Sequence, residues 1–140
     1  MSYLLDTNVI SEVRKRTPDP GVATWFEQAG AEDLFLSVLV LGEIRQGIER
    51  LRARDPEQAG LFERWLDVLH EQFADRVLAV TAEVADAWGR LNAPSPLPVV
   101  DSLLAATALV HGLTFVTRDA ARLQQTGVAL LDPWQRRARD

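Results

Sequence analysis

The chain has 140 residues, 47% of them hydrophobic and 25% charged, with a net charge of −5, which fits one globular domain spanning residues 1–140 around a single core. Cysteine is absent, which excludes disulfide frameworks, thiol nucleophiles and thiolate zinc sites and fits a reducing compartment. The start Met1-Ser2-Tyr3-Leu4-Leu5-Asp6 is too short an apolar stretch for a signal peptide, and the longest apolar run, Leu34 to Leu41, is broken by Ser37, so the expectation is a cytoplasmic protein that does not enter a membrane.

Tyr3-Leu4-Leu5 reads as a strand stopped by Asp6-Thr7-Asn8, after which Val9, Ile10 and Val13 recur at helical spacing. Pro18-Asp19-Pro20-Gly21 breaks that helix, and Val22, Trp25, Phe26 and Ala29 share one face of a second helix that Gly30 can stop. Leu34-Phe35-Leu36 is the second strand. Ser37 caps a long third helix through about Arg54, and Pro56 starts a fourth that carries Leu61, Trp65, Val68 and Leu69. Val77 to Val80 reads as a strand and Thr81 as the cap of a helix from Ala82 to Leu91. After the stiff Pro94, Pro96, Pro98 connector, Asp101 opens a helix that runs to Val110 and stops at His111-Gly112. Thr114-Phe115-Val116 is the next strand, Ala120 to Gln124 a short helix ended by Gly127, and Val128 to Leu131 a last strand before Pro133-Trp134 and a basic tail. Strands that alternate with helices run parallel with right-handed crossovers, so the fold class is α/β, with a short, mostly parallel sheet covered on both faces.

Three aspartates hold similar local positions. Asp6 follows the first strand, Asp119 follows the Thr114 to Thr117 strand, and Asp101 opens a helix. Each can be an N-cap, yet residues just beyond the carboxyl ends of neighbouring parallel strands share one crevice. Convergent carboxylates repel unless a cation joins them. Glu43 lies beside the Leu41, Ile44, Ile48, Leu51 stripe of the third helix, flanked by Gly42 and Gly47. A helical glycine costs about 1 kcal/mol against alanine, so another backbone or a ligand is expected close by. The bland alternative is a surface pair of Glu43 with Arg45 or Arg50. Ala105 and Ala108 follow Asp101 on one face, which implies close packing there. Four carboxylates without cysteine or paired histidines specify a hard cation, Mg²⁺ or Mn²⁺, and metal-assisted phosphodiester hydrolysis.

Charge bears on the nucleic-acid reading in both directions. The net charge of −5 gives no general attraction to phosphate, but fourteen of fifteen basic residues are arginine, grouped at Arg14 to Arg16, Arg45 to Arg54 and Arg136 to Arg139. Such forks suit phosphate oxygens, and equally serve as solvated surface. His70 and His111 lack ligand spacing and read as structural, as do Trp25, Trp65 and Trp88, while Trp134 reads as pinning the C-terminus.

The segments Leu4-Leu5-Asp6-Thr7-Asn8-Val9-Ile10-Ser11-Glu12, Leu41-Gly42-Glu43-Ile44-Arg45-Gln46-Gly47, Asp101-Ser102-Leu103-Leu104-Ala105-Ala106-Thr107-Ala108 and Val116-Thr117-Arg118-Asp119 together resemble the PIN-domain family, most of all its VapC and FitB toxins. The resemblance runs from Leu4 to Trp134 and implies a three-layer α/β/α sandwich and a Mg²⁺- or Mn²⁺-dependent endoribonuclease. It further implies a homodimer and a cognate VapB/FitA-like antitoxin, through which alone DNA would be met. By motif, Asp6 and Asp101 resemble the principal metal ligands, Glu43 and Asp119 complete the acidic cluster, and Asn8 and Thr117 resemble the polar residues that orient it. This chain has Asp119 where Asn is frequent, Arg122-Leu123 where Asp-Phe is frequent, and Asp132-Pro133-Trp134 where Asn-Pro-Trp is frequent. Two other readings compete. An aspartyl-phosphate enzyme would have a second Asp two positions after Asp6, where Asn8 stands. A silent PIN-like module binding RNA or protein would usually have lost one of the four acids.

Overall fold

The computed structural model describes residues 1–136. In chain order it contains β1 (Tyr3–Leu5), α1 (Thr7–Val13), α2 (Pro20–Gln28), a 3-10 turn (Ala31–Asp33), β2 (Leu34–Ser37), α3 (Val38–Arg52), α4 (Pro56–Gln72) and β3 (Val77–Leu78). There follow α5 (Ala82–Asn92), α6 (Val99–His111), β4 (Thr114–Val116), a 3-10 segment (Ala120–Thr126), β5 (Leu130–Leu131) and α7 (Pro133–Arg136). The strands form one five-stranded sheet in the order β3-β2-β1-β4-β5, with every pairing parallel. Helices flank it as in an α/β/α sandwich, so the expected fold class holds. Among the described residues no helix is long and apolar enough to cross a membrane.

The order of the strands decides where a ligand can sit. From central β1 the chain winds outward through β2 and β3, then returns to pair β4 on the other side of β1. Crossovers leave in opposite directions at β1 and β4, and this switch point opens a crevice at the strands' carboxyl ends. Register aligns Leu5 with Val116, so Asp6 and Thr117 emerge side by side. Leu4, Leu5, Leu36, Phe115 and Val116 are fully buried beneath them, each worth roughly 1.5–3 kcal/mol of apolar burial.

Local chemistry sets the element ends. Ser37 accepts from Leu39 N at 3.0 Å and Thr81 from Val84 N at 3.1 Å, as expected of N-caps. Gly112 ends α6 at φ +65°, a left-handed conformation that any side chain would strain. Other expectations shift. α6 begins at Val99 with Pro98 at its N-cap, so Asp101 lies in the first helical turn rather than opening the helix. The Ala120–Thr126 segment winds as a 3-10 helix, and β3 and β5 each pair over two residues only. On α4 the buried residues are Ala59, Leu66 and Leu69, while Leu61 and Val68 are 49% and 46% exposed, because the hairpin with α3 covers a stripe rotated from the one those two residues mark.

Trp25 is buried edge-on to Tyr3 with ring centroids 5.2 Å apart. Trp88 Nε1 donates to Ser102 Oγ at 2.9 Å and ties α5 to α6. Trp65 lies edge-on to Phe62, and Trp134 lies under the Arg118 guanidinium, so all four indoles have packing partners. His70 and His111 are exposed on the last turns of their helices. The expected approach of a backbone to Gly42 and Gly47 is not present: a Cβ at either would meet nothing within 4 Å. Of the arginine groups, Arg45 and Arg52 are engaged by Glu49 and Glu63 across α3 and α4, and the tail residues from Arg137 onward lie outside the described residues.

Candidate active site

Asp6 is the N-cap of α1, with extended backbone at φ −75° and ψ 159° and its side chain accepting from Thr7 N. That bond holds Oδ1 at 2.7 Å, and Thr117 Oγ1 donates to Oδ2 at 2.7 Å. The same Thr117 hydroxyl oxygen accepts from Asp119 N at 3.1 Å. A single buried threonine after β4 therefore fixes two acids that leave different strands. Asn8 reinforces the junction less tightly, donating from Nδ2 to Asp119 Oδ2 at 3.5 Å and accepting from Arg118 N at 3.4 Å.

Asp101 comes to the same place from the first turn of α6, the helix that packs against β1 and β4. Ala105 and Ala108 are fully buried, so the close packing expected of that face is present and seats the helix near the strand ends. One carboxylate oxygen from each of Asp6, Asp101 and Asp119 lies within 4.8 Å of the others, a spacing and an all-oxygen donor set that fit a hard divalent cation.

Glu43, expected as a metal ligand with the other three acids, is not in that set. Its Oε1 accepts from Thr7 Oγ1 at 2.5 Å, and neither Arg45 nor Arg50 pairs with it among the described residues. It still adds negative potential at Asp6. Burial pushes the Asp6 carboxyl up to about 6, against the lowering effect of its hydrogen bonds from Thr117 and Thr7, with the charges of Asp101 and Glu43 adding to the rise. Asp101 is also raised, chiefly by burial, with Arg122 opposing and Asp119 assisting.

Two contacts are not legible in the sequence. Thr7 marks only a turn in the sequence, but its hydroxyl positions Glu43. Arg122, visible only as an unusual residue three places after Asp119, donates from Nη2 to Asp101 Oδ2 and lies 3.4 Å from Asp119 Oδ2. Beside the acids, α3 and α4 form a groove of about 270 Å³ whose lining includes Glu43, Gly47, Ile48, Phe62 and Trp65.

The PIN domain family matches residues 3–128. Toxin FitB of Neisseria gonorrhoeae is 32% identical over 94% of this chain and 97% of its own length. The VapC ribonuclease Y4jK of Sinorhizobium fredii is 30% identical over 94% of this chain and 97% of its own. In the solved structure of FitAB bound to an IR36 DNA fragment, one chain is 29% identical and superposes with a TM-score of 0.86, covering 94% of this chain and 95% of that one. The strand order, the convergence of acids at the β1–β4 switch point and these likenesses agree, and the chain belongs to the PIN-domain family, with FitB and VapC among its relatives.

Proposed function

We propose that this protein is a metal-dependent endoribonuclease and the toxin of a toxin-antitoxin pair, acting as a single domain in the cytoplasm. The observation that carries the reading is the meeting of Asp6, Asp101 and Asp119 oxygens within 4.8 Å, in a chain whose relatives include one named a VapC ribonuclease. Their all-oxygen donor set fits Mg²⁺ or Mn²⁺, held by Asp6 and Asp101 with Asp119 as third ligand. When bound, such an ion supplies the positive charge that stabilises negative charge developing on a phosphodiester and makes a nearby water more acidic.

The protein's own residues do the rest. Thr117 and Thr7 N keep both Asp6 oxygens in fixed directions, which limits reorganisation as charge develops. Glu43, anchored through Oε1, has Oε2 without a hydrogen-bond partner among the described residues. Standing outside the ligand set, it acts as the base that takes the proton of the attacking water at Oε2. Asn8 keeps Asp119 turned toward the cluster.

The apolar groove between α3 and α4 supports the antitoxin part of the reading. It adjoins Glu43, and glycine at position 47 leaves the helix surface open there, so an amphipathic segment of a VapB/FitA-like partner laid in it would cover the acids and shut off RNA. Any DNA contact would come through that partner. A homodimer belongs to the same proposal, with the exposed Val99 and Leu109 of α6 as apolar surface for it, and light scattering on the purified protein tests it. The catalytic reading is tested by RNA cleavage with Mg²⁺, Mn²⁺ or EDTA. Metal-dependent cutting lost in Asp101→Asn supports it, whereas cutting that survives in EDTA contradicts it.

A further inference from the structure

We propose that Arg122 is a tethered cation that competes with the metal for the carboxylates of the active site, so that loading requires its guanidinium to swing away. The proposal rests on the metal reading above. One nitrogen, Nη2, contacts Asp101 Oδ2 and lies 3.4 Å from Asp119 Oδ2. These acids come from different elements, α6 and the turn after β4, and both belong to the three-acid set. A guanidinium nitrogen this close to two of the three acids puts a positive charge against the carboxylates that would hold a cation, and the two charges repel.

The placement of Arg122 also makes it removable. Its side chain is 48% exposed, so its ion pairs are screened and individually weak. Its long stem rises from the 3-10 segment at the rim and can leave without backbone movement. Arg118, one residue before Asp119, instead lies over the Trp134 ring with 4.9 Å to its centroid, and no acid of the cluster pairs with it among the described residues. Proximity in sequence does not by itself put an arginine in the cluster, and Arg118 serves as an internal control.

The test is calorimetric titration of Mn²⁺ into EDTA-stripped, dialysed protein: wild type, Arg122→Gln, Arg122→Lys and Arg118→Gln, each checked for native circular dichroism. Competition predicts that Arg122→Gln binds Mn²⁺ about three- to tenfold more tightly than wild type, with Arg122→Lys between them and Arg118→Gln unchanged. Thermal melts give a second readout. The stripped Arg122→Gln protein should melt lower than wild type and gain more from added Mn²⁺. Equal or weaker binding by Arg122→Gln, or equal tightening by Arg118→Gln, overturns the competition while leaving the metal reading intact. Absence of Mn²⁺ binding in both wild type and Arg122→Gln overturns the metal reading and the competition with it.

Discussion

Thr117 Oγ1 donates to Asp6 Oδ2 at 2.7 Å across 111 positions of sequence while its oxygen accepts from Asp119 N. The hydroxyl is fully buried, so no water can replace either bond. Thr117→Val keeps the shape and removes both bonds. It should destabilise the protein by about 1–3 kcal/mol in urea unfolding and lower RNA cleavage about 10–100-fold. Unfolding indistinguishable from wild type would mean that this hydroxyl does not hold the two acids.

Stability should depend on pH through Asp6. Its folded carboxyl titrates at about 6 against an ordinary value of 3.8, so the folded state binds the proton more tightly than the unfolded chain. The stabilising contribution is complete below about pH 4 and is lost as pH rises through 6, a change of order 3 kcal/mol. Asp101, also raised, acts in the same sense. EDTA-treated wild type should therefore lose thermal stability between pH 4.5 and 7 by more than Asp6→Asn does. Parallel profiles for the two proteins would remove Asp6 as the cause.

Glu43 and Asp101 should fail differently. Because Glu43 lies outside the three-acid set, Glu43→Gln should cut RNA at least 100-fold more slowly while keeping Mn²⁺ affinity within about threefold of wild type. Asp101→Asn should lose both. Loss of Mn²⁺ binding in Glu43→Gln would make it a ligand rather than a base.

Ser102 neighbours Asp101 in sequence but faces the helix interface, where its Oγ donates back to Pro98 O at 2.8 Å and accepts from Trp88 Nε1. Ser102→Ala leaves the indole N–H without its partner and should cost about 1–2 kcal/mol, with a shift in tryptophan emission and Mn²⁺ affinity retained. An unchanged unfolding midpoint would mean the bond contributes nothing net.

Much of this was legible in the chain because the alternation of short apolar runs with helical periodicity leaves few topologies. The sequence alone places Asp6 and Asp119 at one crevice, since both follow strands whose neighbours must be parallel. What depends on tertiary packing was not legible. The rotation of α4 that exposes Leu61 and Val68 follows from how α3 and α4 meet. Of the two neighbours that Gly42 and Gly47 admit, a backbone or a ligand, the backbone is not there and the space beside them is open. Thr7 and Arg122 make contacts with Glu43 and Asp101 that no local pattern encodes, because side-chain reach, not sequence spacing, brings them there.

The most direct test is cleavage of a mixed RNA pool by purified protein with Mg²⁺, with Mn²⁺ and with EDTA, beside folded Asp6→Asn and Asp101→Asn. Cutting that requires the metal and disappears in both variants is the predicted result; cutting that persists in either variant, or no cutting by antitoxin-free wild type on any RNA, would contradict the account.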